Sequence, residues 1–222
     1  FGKQAVPSRT ARSEMGMTQT LPLAGRWGLS APASMDVVPE EAALNNPGKR
    51  MPAAKELALL FTHSGISGPA DLQASLYWRK GLSLTMDFLP EMPIDTLLDK
   101  PGTGKLLCRN FFRRLMPDRL AEALLPPGLG EKKCAELSRD MRNRLKSCFH
   151  AFRVVPLRTE GFARAEVTAG GVRTTEISSR SMESRLVPGL FFCGEVLDVA
   201  GRLGGYNLHW AFASGRAAGE AL

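Results

Sequence analysis

The sequence lacks the cysteine spacing of an extracellular disulfide scaffold or of a zinc site. Its four cysteines, Cys108, Cys134, Cys148 and Cys193, form no CxxC pair and no regular framework. Structural metal sites need closely spaced cysteine and histidine pairs, and disulfide frameworks belong to oxidising compartments. We therefore expect reduced thiols, no metal site and a cytoplasmic protein.

Long apolar runs are missing as well. The longest, at 57–61 and 190–193, are far shorter than the roughly 20 residues that a membrane-spanning helix needs. The chain also begins at Phe1 without the charged and then apolar leader of a signal peptide. We expect no membrane segment, and we expect a chain that starts inside a longer protein.

Two nucleotide-binding patterns are absent. No strand is followed by GxGxxG and a helix, the pattern that binds a dinucleotide pyrophosphate. The segment 101–105 resembles a P-loop only in part, because Asp99 replaces its first glycine and Leu106 replaces the Ser or Thr that binds Mg²⁺. The sequence thus excludes a P-loop NTPase and lacks the ADP-binding half of a dinucleotide fold.

What is present is a chain of 222 residues, 44% of them hydrophobic, which suffices for one large or two small domains. Residues 1–26 are rich in Ser, Thr, Gly and Pro and are predicted to be irregular. Alternating apolar residues predict strands within 27–88, and apolar steps of three and four predict helices within 94–149. Strands return after His150, so we place a domain boundary near residue 155.

The C-terminal end holds the most informative pattern. The apolar run 190–193 is predicted to be a strand that ends at Gly194-Glu195, and a helix is predicted to open at Gly204-Gly205. An acidic side chain at a strand end can accept hydrogen bonds from hydroxyl groups, and the unpaired N–H groups of a helix start attract anionic or carbonyl oxygens. This corner is therefore predicted to bind a polyhydroxylated, phosphorylated cofactor.

The corner resembles the C-terminal FAD-binding segment of flavoproteins with two dinucleotide-binding folds. In detail the chain is similar to one bacterial family, the NAD(P)/FAD-dependent or aminoacetone-oxidase-like flavoproteins, whose FAD domain is split by an inserted barrel domain. The similarity extends from about residue 54 to the end. It rests on two blocks in the family's order, first 61–70 with Tyr77-Trp78, and then 166–172, 175–177, 182–184, 194–198, 204–208, Trp210 and Ser214-Gly215.

The resemblance implies an α/β fold, with an inserted β-barrel and helical domain over 27–155 and the C-terminal return of the FAD domain over 156–222. Because the family's nucleotide-binding half is missing, we expect a truncated part of a flavoenzyme. The implied cofactor is FAD, and NAD(P)H is the implied electron donor. The implied cofactor-binding residues are Gly170, Gly171, Gly194, Glu195, Asp198, Gly204, Gly205, Tyr206 and Asn207, of which Gly170-Gly171 is predicted to form a tight turn.

The block 61–70 is a polar, glycine-containing turn between a predicted strand and a predicted helix. In a purely structural interpretation, Ser64 and Ser67 cap the helix and His63 makes an ordinary hydrogen bond. In a functional interpretation, the block lines the substrate side of the flavin and His63 exchanges a proton during hydride transfer. Both interpretations stay open, and His63 and Ser64 are the candidate catalytic residues.

The net charge of +7 reflects a concentration of Lys and Arg within 109–146. Such residues on helices usually form a solvated face, and the alternative is contact with RNA or another polyanion. The family resemblance implies hydride transfer through flavin to an unsaturated substrate, either a steroid-type small molecule or uridine in ribosomal RNA. The basic segment favours RNA. A non-enzymatic RNA-binding or scaffold fragment remains the alternative.

Overall fold

The structure, a computed structural model, describes residues 6–11, 15–17, 29–39, 51–62 and 65–222. The chain divides into two compact units, Glu14–Thr159 and Phe1–Ser13 with Glu160–Leu222. We call the first the sheet unit and the second the corner unit. The domain boundary is predicted near residue 155, whereas the units change between Thr159 and Glu160.

The described strands are β1 (Val6–Ala11), β2 (Met15–Met17), β3 (Leu29–Pro39), β4 (Met51–Phe61), β5 (Gly65–Ser67), β6 (Leu82–Asp87), β7 (Phe152–Val154), β8 (Pro156–Thr159) and β9 (Val167–Gly171). The described α-helices are α1 (Pro69–Ser75), α2 (Ile94–Leu98), α3 (Cys108–Phe112), α4 (Asp118–Leu124), α5 (Arg139–Phe149) and α6 (Tyr206–Ala221). This order confirms the predicted succession of strands, helices and returning strands.

In the sheet unit, β2 to β8 form one antiparallel sheet in the order β7-β6-β3-β4-β5-β2-β8. The edge strands β7 and β8 are separated in the chain only by Val155. The chain thus passes from one edge to the other within a single residue, which requires a strongly curled sheet. No pairing in the described part joins β7 to β8, so the predicted closed barrel is not seen. Pro156, the first residue of β8, has no backbone N–H and therefore cannot donate a hydrogen bond to a neighbouring strand.

The long strands β3 and β4 turn one face towards the core of the sheet unit. Along β3, Ala31, Ala33 and Met35 are buried, whereas Ser30 and Pro32, which point to the other face, are exposed. This period of two is what a half-buried strand requires. Helix α1 packs against both strands, and the small alanine side chains leave room for it.

Helices α3, α4 and α5 enclose the rest of this core. Phe112 and Phe149 are fully buried, and their stacked rings have centroids 4.0 Å apart. Helix α5 begins after Ser138, whose Oγ accepts a hydrogen bond from the N–H of Met141 at 3.3 Å, as an N-cap serine does. The predicted apolar stripe of this region is confirmed as core at Cys134, Leu137 and Leu145, which are all buried.

In the corner unit, β1 pairs antiparallel with β9, and Val172 just beyond β9 forms a parallel bridge with Leu197. Residues 6–11 are therefore a strand, and so are residues 15–17 in the sheet unit, although 1–26 were predicted to be irregular. Composition gave the wrong expectation because distant strands pair with both segments, β9 with residues 6–11 and β5 and β8 with residues 15–17.

The run 190–193 is not a regular strand, contrary to the prediction. It forms one arm of a short irregular hairpin, with an isolated antiparallel bridge between Phe191 and Glu183. An apolar run becomes a longer strand only when neighbouring backbone pairs its N–H and C=O groups. Here the pairing is limited to a few bonds, such as the Phe192 N–H to the Met182 carbonyl at 3.0 Å.

The core of the corner unit is small. Its buried hydrophobic cluster consists of Ile177, Met182, Leu197 and Ala218. Helix α6 buries Ser214 and Ala218, while Leu208 and Phe212 on the same helix are 66% and 77% exposed. Packing around α6 therefore depends on a few specific hydrogen bonds as much as on apolar burial.

Candidate functional site

The start of α6 is an open helix N-terminus. Gly204 and Gly205 precede it with φ of 111° and 86°, in the region of positive φ that glycine adopts without a steric penalty. No side chain among the described residues caps the helix, and Tyr206, its first residue, is 62% exposed. The first-turn N–H groups of a helix have no partner within it. The two glycines have no side chains, so they leave the first-turn N–H groups of α6 accessible as donors.

Asn207, in the first turn of α6, carries an unsatisfied donor. Its Oδ1 accepts a hydrogen bond from the Gly201 N–H at 2.7 Å, which holds the glycine-containing loop onto the helix. Its Nδ2 is buried and has no hydrogen-bond partner in the part of the chain that the structure describes. Leaving such a donor unpaired costs about 1–3 kcal/mol. An acceptor from outside the described residues would remove this cost.

The carboxylates of Glu195 and Asp198 both accept hydrogen bonds from the backbone of strand β9. One oxygen of Glu195 accepts from the Thr168 N–H at 2.7 Å, and one oxygen of Asp198 accepts from the Gly170 N–H at 2.9 Å. The predicted role of Glu195, binding cofactor hydroxyls, did not include this backbone partner. Each carboxylate retains a second oxygen for another donor, because a carboxylate has about four acceptor positions.

Gly170 and Gly171 do not form the predicted tight turn. They end β9, and the ladder continues through Val172, whose N–H donates to the Val196 carbonyl and whose carbonyl accepts from the Asp198 N–H, both at 2.9 Å. A Cβ on Gly171 would lie 2.3 Å from the Val196 oxygen. The glycine is therefore needed for the close approach of two backbone segments.

Gly194 is fixed by two side chains of α6. Its N–H donates to Ser214 Oγ at 2.9 Å, and its carbonyl accepts from Trp210 Nε1 at 3.1 Å. Ser214 in turn donates to the Trp210 carbonyl at 2.6 Å. Neither residue was named as a site residue from the sequence, although both lie in the blocks that carry the family resemblance.

His63 and Ser64 lie outside the described residues. The residues on either side are close together, since the Thr62 N–H donates to the Gly65 carbonyl at 2.9 Å and the Gly65 N–H donates to Thr62 Oγ1 at 3.1 Å. These bonds belong to the turn between β4 and β5. Among the described residues the N-cap of helix α1 is Gly68, which has no side chain to cap it, so Ser67 does not occupy the N-cap position of the structural interpretation. The catalytic assignment stays a prediction.

Three of the four thiols are at least partly buried. The hydrogen bond with Cys134, together with burial, raises the pKa of Cys108 well above its ordinary value. Burial also raises the pKa of Cys148, and the nearby charge of Arg144 partly opposes this effect. Cys193, next to Gly194, is exposed. The thiol nearest in sequence to the corner is thus the most accessible one.

The described part of the chain contains no group of three or more His, Cys, Asp and Glu residues that could hold a metal ion. None of its helices is both long and apolar enough to cross a bilayer.

Glu195 and Asp198 hold the segment 194–198 to β9, and Ser214 and Trp210 hold the same segment to α6. A helix start preceded by glycines, such as that of α6, can bind an anionic group. The chain matches, over residues 13–221, the family described as the HI0933-like protein Rossmann domain, and it belongs to that family. The match includes every residue proposed for the corner.

Three curated relatives are similar to this chain. It is 43% identical over 167 residues to the ribosomal RNA dihydrouridine synthase of Escherichia coli, covering 74% of this chain and 42% of the relative. The enzyme of the same name from Haemophilus influenzae is 43% identical, covering 70% and 40%. The 3-dehydro-bile acid delta(4,6)-reductase of Clostridium scindens is 35% identical, covering 78% and 46%. The chain thus spans less than half the length of each relative.

Proposed function

We propose that this chain is part of an FAD-dependent oxidoreductase and that the start of α6 binds the flavin end of the cofactor. The observation that carries the proposal is the unpaired Asn207 Nδ2 beside the open first turn of α6. Both features are hydrogen-bond donors that need acceptors. Membership of a Rossmann-domain family supports a dinucleotide as their source.

The residues of the corner fit such a group. The first-turn N–H groups of α6 and Asn207 Nδ2 would donate to the carbonyl oxygens of the flavin's pyrimidine ring, which Gly204 and Gly205 leave accessible. The second oxygen of Glu195 would accept from a ribityl hydroxyl, and Asp198 would hold Gly170 and Gly171 beside it. The positive end of the α6 dipole would stabilise negative charge on the reduced ring.

When bound, the flavin supplies hydride transfer from NAD(P)H to an unsaturated carbon of the substrate. The chain's own contribution is binding, orientation and proton transfer. We propose that His63, assisted by Ser64, holds the proton that the substrate receives, a role for which a histidine side chain is suited.

For the substrate we propose uridine in ribosomal RNA. Two relatives at 43% identity are named ribosomal RNA dihydrouridine synthase, and the relative at 35% identity is named a bile acid reductase. Residues 94–150 support RNA, because they contain twelve Lys and Arg and seven Asp and Glu. Arg114, Arg139 and Arg144 are exposed, and no carboxylate pairs with them within the described ranges.

We also propose that residues 27–155 form an inserted barrel and helical domain and that 156–222 return to the FAD domain. The curled sheet supports the first part, since one residue links its two edges. Strand β9 and helix α6, which form the corner, support the assignment of 156–222 to the FAD domain.

The proposal is tested by the visible spectrum of the purified chain with FAD, alone and after mixing with a separately expressed nucleotide-binding half from a related flavoprotein. A protein-bound flavin band in either sample is expected. Asn207→Leu should weaken FAD binding about tenfold through loss of its hydrogen bonds. Asn143→Leu, at an exposed position of α5, is the matched control and should bind FAD normally. Absence of a band from both samples would overturn the proposal.

The alternative is a non-enzymatic RNA-binding fragment. The observation that favours it is the surplus of unpaired exposed arginines, which would act without any cofactor. Salt-dependent RNA binding combined with no flavin band in either sample would establish the alternative. A flavin band that bleaches on addition of NAD(P)H would exclude it.

A further inference from the structure

The corner unit contains a second feature that the proposed flavin contacts do not use. It is a cavity of about 310 Å³, which lies at the lower limit of the range of small-molecule sites. Its walls are mostly apolar, and two polar side chains reach it. The lining residues are Val172, Glu176, Ile177, Ser184, Leu186, Val187, Leu190 and Phe192.

Glu176 brings an unsatisfied acceptor to this cavity. Its Oε1 is buried and has no hydrogen-bond partner among the residues described. The nearby Arg185 does not satisfy it, because Arg185 Nε donates to the Ile177 carbonyl at 3.2 Å and the Arg185 N–H donates to the backbone carbonyl of Glu176 at 2.7 Å. A buried carboxylate oxygen without a donor is costly, so a donor from a ligand would be favoured there.

Ser184 brings a donor. Its Oγ accepts hydrogen bonds from the N–H groups of Leu186 and Val187, each at 3.2 Å. Those two bonds fill the acceptor capacity of the hydroxyl and leave its proton to donate. The residue is 9% exposed. The cavity thus offers one acceptor and one donor between apolar walls.

We infer that this cavity binds the imide edge of a planar ring, in which an N–H lies next to a carbonyl. The N–H would donate to Glu176 Oε1, the carbonyl would accept from Ser184, and the ring faces would contact the apolar walls. A ketone without an N–H leaves Glu176 unpaired, and a buried acceptor left unpaired is what makes such a site selective.

Two ring systems of the proposed reaction contain this edge, the uracil of the substrate and the pyrimidine ring of the flavin. Naming these two sources rests on the proposed function, whereas the imide chemistry rests on the cavity alone. The cavity borders the corner through Val172, whose backbone bonds to Val196 and Asp198. Binding in it would therefore extend the proposed site along the end of β9.

The test is direct binding of 5-fluorouridine to the full 222-residue chain, followed by ¹⁹F NMR, with N3-methyl-5-fluorouridine as the matched ligand. The methyl group removes the N–H donor and keeps the ring. Riboflavin and N3-methylriboflavin form the second arm, followed by flavin fluorescence. Binding of at least one parent ligand is expected, with about tenfold or greater weakening by its N3-methyl group, the size of a charge-assisted hydrogen bond.

Substitutions test whether the effect of N3-methylation on binding arises in the cavity. Glu176→Met removes the acceptor at similar size and should weaken the parent ligand about tenfold while leaving the N3-methyl ligand unchanged. Glu166→Gln, an exposed position of the same unit, should change neither. Binding of 5-fluorouridine alone would identify uracil as the occupant. Binding of riboflavin alone would identify the flavin, and would move its pyrimidine ring from the proposed position at the start of α6 to the cavity.

Two results would overturn the inference. One is that neither parent ligand binds at millimolar concentration, and the other is that N3-methylation leaves binding unchanged. The methylated ligands give this answer on the unmodified chain, so a variant that fails to fold does not remove the test. A missing FAD band with intact, N3-dependent uridine binding would reject the proposed flavin corner and leave the cavity assignment in place.

Discussion

At the scale of single residues, Gly171 is the position where the corner tolerates least change. Its φ is 135°, and an added Cβ would lie 2.3 Å from the Val196 oxygen. Gly171→Ala must therefore either strain the backbone, on the order of 1–3 kcal/mol, or push β9 away from Val196. We expect faster amide hydrogen exchange at Val172, whose N–H bonds to Val196.

Gly219→Ala is the matched control for this prediction. Gly219 lies in α6, has no positive φ, and an added Cβ would meet nothing within 4 Å. Replacing glycine in a helix interior by alanine is worth roughly 0.5–1 kcal/mol, so this variant should be slightly more stable. Equal effects of the two substitutions would show that the close approach at Gly171 does not constrain the fold.

Thiol reactivity is a second property of single residues. Cys193 is exposed, whereas the pKa of Cys108 is raised by its hydrogen bond with Cys134 and by burial, and the pKa of Cys148 is raised by burial. A raised pKa leaves less thiolate at pH 8, and the thiolate is the reactive form. The pKa of Cys134 is lowered by its hydrogen bond with Cys108, but this thiol is buried and out of the reagent's reach. Titration with a chromogenic disulfide should show one fast thiol, which Cys193→Ser removes and Cys148→Ser retains.

At the scale of elements, Ser214 is one of the two α6 side chains, with Trp210, that connect the helix to Gly194. Its Oγ accepts from the buried Gly194 N–H and donates to the Trp210 carbonyl. Ser214→Ala leaves a buried N–H unpaired, so the free energy of unfolding should fall by about 1–3 kcal/mol in urea denaturation. FAD affinity should fall with it, because Glu195 follows Gly194 directly.

Ser147→Ala tests whether this loss is specific. Ser147 also donates to a carbonyl in its own helix, that of Asn143 at 3.1 Å, but it is exposed and holds no second segment. Its replacement should change stability by less than about 0.5 kcal/mol. A comparable loss in both variants would assign the Ser214 effect to the helix itself and not to the loop.

Sequence patterns identified the helices better than the returning strands. Helix α6 begins directly after Gly205, and the apolar stripe that runs into α5 packs on the core, with Leu145 buried and Met141 and Cys148 partly buried, because caps and apolar periodicity are local signals. The run 190–193 did not become a regular strand, and 6–11 did, because strand formation depends on a partner that is distant in the sequence. The roles of Ser214 and Trp210 also depend on the folded loop, so composition alone could not assign them.

At the scale of the whole molecule, charge divides the basic segment into two groups. Arg109 and Arg113 pair with Glu131 and Glu122. Arg114, Arg139 and Arg144 are exposed and have no carboxylate partner within the described ranges. Ion pairing already neutralises the first group locally, so the second should supply most of the attraction to a polyanion.

The corresponding prediction concerns the salt dependence of RNA binding. Each phosphate contact adds roughly 0.7 to the slope of log affinity against log salt for a single strand, so Arg114→Gln, Arg139→Gln and Arg144→Gln together should reduce the slope by about 2. This slope is measured by fluorescence anisotropy of a labelled uridine-rich RNA at salt concentrations from about 50 to 200 mM, the range over which phosphate contacts change the affinity strongly. The Arg109→Gln, Arg113→Gln double variant should reduce it much less. If the double variant matched the triple one, general positive charge would be sufficient, and the three arginines would define no particular RNA-binding face.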